Sequence, residues 1–517
     1  MIKSLLSRFR RDEDGAVAII FGLAVLPLLG FAGTVIDYSR AQQTKARLQV
    51  SIDAIALKLG KLKLNEDLTP YAATSQSTVE QFMSGTTARN IVVTISRPTT
   101  IDGAIEVDGV AETPTTLMNL FGFKTMTTRA TSVVSRGVGN LEIALVLDNT
   151  GSMNQNSKLA KLKTAATGMV DALANEADPN KPNALKFAVV PFSMTVNVGA
   201  AFKNATWMDV YGQASYHAAL FNQAGTNRFT MFSNLGMAWG GCVEQRPYPY
   251  DVDGTEPTGG TPDTLYVPFF APDESDADSS NYANDYLKDY QGGTPYPTPG
   301  WKTRQGNQGK YRNPVWQSGT KGQRNGSTGY MYGPNAGCEI SPIQRLTNSV
   351  SETKTAINNM VASGDTNIVV GLGWGWNMLS PGYPFRDGVA YGTKDYTKIV
   401  VLMTDGQQQN LDVATNNDSI YSGIGYIWQN RIGVGNGSTT SQRTTALDNR
   451  LTALCNNMKK KNIFIYTVRV EVTDGSADVL RNCATDPTMF YEVADSSKLT
   501  DAFKAIGQSI NQLTISK

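Results

Sequence analysis

The chain has 517 residues, 41% of them hydrophobic and 18% charged, with a formal net charge of +1. That length implies two or three domains rather than one, and the balanced charge gives no electrostatic claim on nucleic acid. A single histidine, His217, excludes multi-histidine zinc sites and leaves serine–histidine catalysis almost nothing to work with.

Residues 16–36 form an uncharged apolar run of roughly 21 positions, the length of a bilayer-spanning helix. Pro27 is tolerated in such a helix. Lys3, Arg8, Arg10 and Arg11 precede the run and favour a cytoplasmic segment 1–15, although Arg40, Lys45 and Arg47 follow on the other side. The cysteines break the tie. Cys242, Cys338, Cys455 and Cys483 show no CxxC spacing and read as two disulfides in an oxidising compartment, with four buried free thiols as the alternative. Three pairings are open; Cys242 with Cys338 and Cys455 with Cys483 is the working one. The expected location is therefore the inner membrane, single-pass, with the bulk of the chain in the periplasm. A cleaved signal peptide is the competing reading, but the helical pattern runs on past Asp37 without a turn signal.

Leu48, Ile52, Ile55, Leu59 and Leu62 follow in four-three spacing. Two heptads predict an amphipathic helix lying on its own sheet rather than a coiled coil. A helix near 79–88 and strands at 91–95 and 105–110, joined by an Asp102-Gly103 turn, complete a small α+β stalk over residues 37–137. Arg136-Gly-Val-Gly139 is the expected hinge.

From Leu141 the pattern alternates between strand and helix, which predicts an α/β domain over residues 140–199 and 341–517. Leu141-Glu-Ile-Ala-Leu-Val-Leu-Asp148, 185–190, 398–405, 463–468 and 490–493 are the expected strands. Helices are expected near 159–170, at 350–361, after 364–372 and at 497–510. Residues 200–340 interrupt the pattern with Gly, Pro, Asn, Tyr and Trp. An insertion of this length must be folded, a functional excursion or partly disordered. A Cys242–Cys338 bridge would close a loop of about 95 residues, on the order of 4 to 5 kcal/mol by chain entropy.

Asp148, Thr150, Ser152, Thr366 and Asp405 all fall on loops after strands or at helix openings, which a parallel sheet gathers on one edge. Two carboxylates and three hydroxyls suit Mg²⁺ or Mn²⁺, with waters or a partner's carboxylate completing the octahedron. Taken singly, each has a blander role as a helix cap or turn residue. Asp251-Val-Asp253-Gly254-Thr-Glu256 is a weaker calcium-like stretch without the full loop spacing, and the glycines of Gly371-Leu-Gly373-Trp-Gly375 do not follow a strand as a nucleotide loop requires.

The Asp148-Asn-Thr150-Gly-Ser152 stretch, with Thr366 and Thr404-Asp405-Gly406, resembles the metal-ion-dependent adhesion site of von Willebrand factor A domains. The resemblance implies a six-stranded Rossmann-like sheet holding Mg²⁺, with an open coordination position for a partner's acidic group. Asp14-Gly15-Ala16 through Val35-Ile-Asp37-Tyr38-Ser-Arg40 is similar to the TadE/TadG-type segment of Flp (tight adherence) pilus assembly proteins. The tail from Leu454-Cys455 through Arg481-Asn-Cys483 to Phe490-Tyr-Glu is similar to the TadG branch. Together they imply a membrane-anchored periplasmic protein, not an enzyme, that binds a pilus-assembly or envelope protein through the metal. A cell-envelope hydrolase whose metal activates water is the second reading, and a purely structural envelope scaffold the third.

Overall fold

The structure is a computed structural model that describes residues 13–515 except 61, 63–65, 99–103, 136–139, 178–180, 277, 279, 290–299 and 473–476. The expected cytoplasmic segment (beyond its last residues), the Asp102-Gly103 turn and the hinge at 136–139 lie outside the described residues. The chain forms two compact units, residues 1–137 with 514–517, and residues 138–513.

In the first unit, helix α1 (Glu13–Leu59) runs unbroken for 47 residues. The expected membrane span is the first half of this helix. Among the described residues no helix is long and apolar enough to cross a membrane; the side chains of 13–19, 26–30 and 32 are outside that description. The second half of α1 buries Leu48, Ile52, Ile55 and Leu59 on an antiparallel sheet of β1 (Arg89–Ser96), β2 (Ala104–Pro114) and β3 (Thr125–Ser135). The approach is close: a Cβ on Gly109 of β2 would lie 2.8 Å from Ile52 Cδ1. Helix α2 (Thr69–Phe82) adds Val79 to this core. It lies ten residues upstream of the expected start, because its first turns are Ala, Thr and Ser and carry no apolar stripe. Strand β3 was not anticipated; its Thr-rich alternation supplies few apolar markers.

The second unit is built on a six-stranded sheet. Strands β4 (Asn140–Asp148), β5 (Leu185–Phe192), β9 (Tyr396–Thr404), β10 (Ile463–Val470) and β11 (Phe490–Val493) are parallel. The sixth, β8 (Gln344–Thr347), pairs antiparallel with β5. Its four residues, mostly polar, gave the sequence no strand signal. The order is β11-β10-β9-β4-β5-β8.

The two faces of the sheet follow the period-two rule. Ile143, Leu145 and Leu147 of β4 point to one side, with Leu162, Ala166 and Met169 of α3 (Lys158–Glu176), Ile357 of α4 (Val350–Asn358) and Phe503 of α7 (Leu499–Ile515). Ala144 and Val146 point to the other, under α5 (Ile368–Leu379) and α6 (Thr440–Lys460). The glycines of α5 are packing residues. A Cβ on Gly371 would lie 2.4 Å from Phe192 Cγ, and one on Gly375 2.5 Å from Val146 Cγ2.

The described residues of the insertion are folded and share the core on this second face. Trp207, Phe232, Trp239, Phe269 and Phe270 join the same buried cluster as Ala144 and Val190. Among its described residues the one strand is β7 (Cys242–Val243), which pairs over two residues with β6 (Val196–Asn197) just before the insertion. Order comes instead from aromatic contacts, such as Tyr266 against Trp374 at 4.6 Å between ring centres, and from buried charge. Arg228 is fully buried and bonds to Glu244, which also pairs with Arg431 at 2.5 Å. Disulfides join Cys242 to Cys338 and Cys455 to Cys483.

Candidate metal centre

Strands β4 and β9 are neighbours whose chains continue to opposite sides of the sheet, to β5 and to β10. Their carboxyl ends flank the topological switch point, where open parallel sheets bind ligands. Asp148 is the last residue of β4, and Thr404 the last of β9, with Asp405 next. After Asp148 a short 3₁₀ segment, Gly151–Ser157, leads into α3.

Four of the five expected residues meet there. Ser152 Oγ donates to Asp405 Oδ1 at 2.7 Å, and Thr150 Oγ1 lies 2.9 Å from Ser152 Oγ and 3.5 Å from the same Asp405 oxygen. Asp148 is wholly buried; its Oδ1 accepts the Thr150 backbone N–H at 2.8 Å and its Oδ2 the Thr404 hydroxyl at 2.6 Å. Burial, and then the Asp405 carboxylate, push Asp148 up to about 6, against the pull of the threonine hydrogen bonds.

Thr366 is held nearby by backbone. Asn149 O accepts from Ser363 N at 2.7 Å, and Gly151 N donates to Gly364 O at 2.9 Å, so loop 361–367 is laced to the Asp148–Ser152 loop. Thr366 O accepts from Gln409 N at 2.8 Å. Its hydroxyl sits beside Gly406, 3.4 Å from where a Cβ would be. Among the described residues no hydrogen bond joins that hydroxyl to the other four.

Two participants were given no role from the sequence, where Thr404 entered only as part of Thr404-Asp405-Gly406 and Lys158 not at all. Thr404 steadies Asp148, as above. Lys158 opens α3 and is buried, with Nζ 2.5 Å from Asp405 Oδ2. A signal for it exists: Lys158 shares the buried face of α3 with Leu162, Ala165, Ala166 and Met169, an apolar stripe that a lysine enters only with a partner.

The donor set fits a hard divalent cation. It offers carboxylate and hydroxyl oxygens only, and Asn149 Oδ1 and Ser193 Oγ, nearby in the chain and loops, are buried oxygens that find no hydrogen-bond partner among the described residues. Among the described residues no group of three His, Cys, Asp or Glu side chains gathers to hold a metal; this site has two carboxylates. Gly151 and residues 154–157 beside the site are exposed and Ser152 is half-buried, whereas Asp148, Thr150, Thr366 and Asp405 are buried. The insertion touches its flank, where Tyr330 Oη and Ser193 Oγ close over Gly364. Asp251, Asp253 and Glu256 do not converge. Asp251 pairs with Arg450, Asp253 caps Thr255 N at 2.9 Å, and Glu256 accepts from Tyr383 N at 3.1 Å. His217 has both ring nitrogens engaged, with Asp209 at 2.8 Å and the Arg228 N–H at 3.0 Å.

Fold and site together define an α/β domain with an oxygen-rich acidic edge at its switch point. Residues 15–57 match the family model described as Putative Flp pilus-assembly TadE/G-like, so the amino-terminal segment resembles that family. A search of curated proteins gave no match. Among solved structures, the chain is similar to the pilus adhesin SpaC from Lactobacillus rhamnosus GG (10% identity, TM-score 0.31, covering 83% of this chain and 34% of that one). It is similar to the vWF domain of the type V pili tip protein Mfa5 from Porphyromonas gingivalis (10%, 0.32, 72% and 96%). A third is proximal thread matrix protein 1 from the mussel byssus (13%, 0.28, 73% and 46%), one form of which is described with a zinc-occupied MIDAS motif. The chain spans about a third of SpaC and under half of the byssus protein. Similarity at this level speaks neither for a ligand nor for a partner.

Proposed function

We propose that the chain is a membrane-anchored periplasmic module of Flp/Tad pilus assembly or surface attachment that binds a protein partner through a divalent cation, Mg²⁺ or Mn²⁺. The observation that carries this reading is the convergence of Thr150, Ser152 and Asp405 beside the buried Asp148. Asp148 and Asp405 supply charge, Thr150 and Ser152 neutral oxygens, and Thr366 acts from the neighbouring loop. A partner's acidic group takes the open position. The uncharged run 16–36 supports the anchor, and the TadE/G-like match at 15–57 supports the pilus setting. The engaged nitrogens of His217 give no support to the hydrolase reading.

The test is a pull-down from envelope membranes with wild-type chain, in Mg²⁺ and in EDTA, and with Asp405→Ala. The reading expects a pilus or envelope protein retained only by wild type in Mg²⁺. Equal retention in all three would overturn it. Turnover of generic ester or phosphoester substrates that Asp148→Ala abolishes would promote the hydrolase instead.

A further inference from the structure

We propose that the loop between β2 and β3 seats its tip in the surface of an anionic bilayer, beside the point where α1 leaves the membrane. The proposal rests on the anchor reading of residues 16–36. Asp37, the first charged residue after that run, is buried and clamps the loop. Its Oδ1 accepts from Thr116 N at 2.9 Å, and its Oδ2 from Leu117 N at 3.1 Å and Met118 N at 2.9 Å. These three backbone bonds hold its carboxyl below the usual range despite the opposing effect of burial. One helical turn earlier Leu117 lies on Gly33, so closely that a Cβ there would be 2.4 Å from Leu117 Cβ. The loop is therefore fixed along the last turn of the apolar run.

Beyond the clamp, a 3₁₀ turn at Met118–Phe121 and Gly122, with φ of 92°, turn the chain back. They leave Leu120, Phe121 and Phe123 at 77%, 52% and 61% exposure. Side chains of this size gain from burial away from water, and among the described residues of the first unit none covers them. On the adjoining stretch of α1, Phe31, Val35 and Tyr38 are exposed as well. Basic groups border the patch: Arg40 donates to the Thr116 hydroxyl at 2.6 Å, and exposed Lys124 follows Phe123. An apolar tip with an aromatic fringe and cations behind it is the arrangement of a membrane interface. A lipid surface is favoured over a protein because the patch continues a run that already has the length of a bilayer core.

All four cysteines are in disulfides, so Asn119→Cys, on the exposed tip, gives one thiol for an environment-sensitive fluorophore. The full chain is reconstituted in phosphatidylcholine vesicles with and without phosphatidylglycerol, and quenching by shallow doxyl lipids is read. We expect strong quenching, greater with phosphatidylglycerol, and a several-fold loss of it on Leu120→Asp, Phe121→Asp and Phe123→Asp while the chain still floats with the vesicles. A chain that floats with an unquenched tip would overturn the loop's role and leave the anchor standing. A chain that does not float at all would remove the anchor, and this proposal with it.

Discussion

Lys158 places an ammonium on the carboxylate that a divalent cation would share. In a buried setting such a charge competes with a metal, so Lys158→Met should tighten Mg²⁺ binding by at least about tenfold, or about 1.4 kcal/mol. Titration calorimetry on both proteins checks this; unchanged affinity would show that the lysine moves aside at no cost. The proposed ligand set was legible because Asp148, Thr150 and Ser152 are close in sequence and follow a strongly apolar strand. Thr366 and Asp405 lie 200 or so residues further on and could be added because each follows a strand or opens a helix, on loops that a parallel sheet gathers at one edge. The ammonium was harder to see: Lys158 reads as an ordinary first-turn residue until the burial of its helix face is known.

Alternation exposed the five parallel strands, whose central members are buried on both faces, but β8 was hidden because an edge strand of four mostly polar residues needs no apolar pattern. The glycines of α5 look like a weak helix. Alanine there should ordinarily add about 1 kcal/mol. The contacts to Phe192 and Val146 reverse that expectation: Gly371→Ala and Gly375→Ala should each destabilise by about 1–3 kcal/mol through overpacking, read as a lower urea midpoint. A raised midpoint would mean that α5 can lift off the sheet. The insertion was legible only as an irregular segment, because aromatic packing and buried ion pairs have no period. Its bridge is a lever: Cys242→Ser with Cys338→Ser, which frees a loop of 96 residues, should cost on the order of 4 to 5 kcal/mol. Limited proteolysis should then cut first within 200–340.

At the scale of the whole molecule, stability should fall as the medium becomes alkaline. Burial pushes Glu274 up to about 8, with Asp278 adding to it, and burial with the neighbouring Asp273 and Asp276 carboxylates pushes Asp285 up to about 8. Carboxyls whose folded value lies above the unfolded one stabilise fully below about pH 4 and lose that contribution as pH rises through about 8. The midpoint without divalent ions should therefore be higher at pH 6 than at pH 9, and Glu274→Gln should flatten the difference. A midpoint that rises toward pH 9 would show both groups charged in the fold. Under the proposed function the switch-point edge holds a divalent cation. Calorimetric titration of wild-type chain with Mg²⁺, paired with thermal unfolding, tests it most directly. Wild-type chain should take up one ion and gain about 2.7 kcal/mol of stability at roughly 100 times the dissociation constant, both lost in Asp148→Ala. Wild-type protein that neither takes up Mg²⁺ nor gains stability at millimolar concentrations would contradict it.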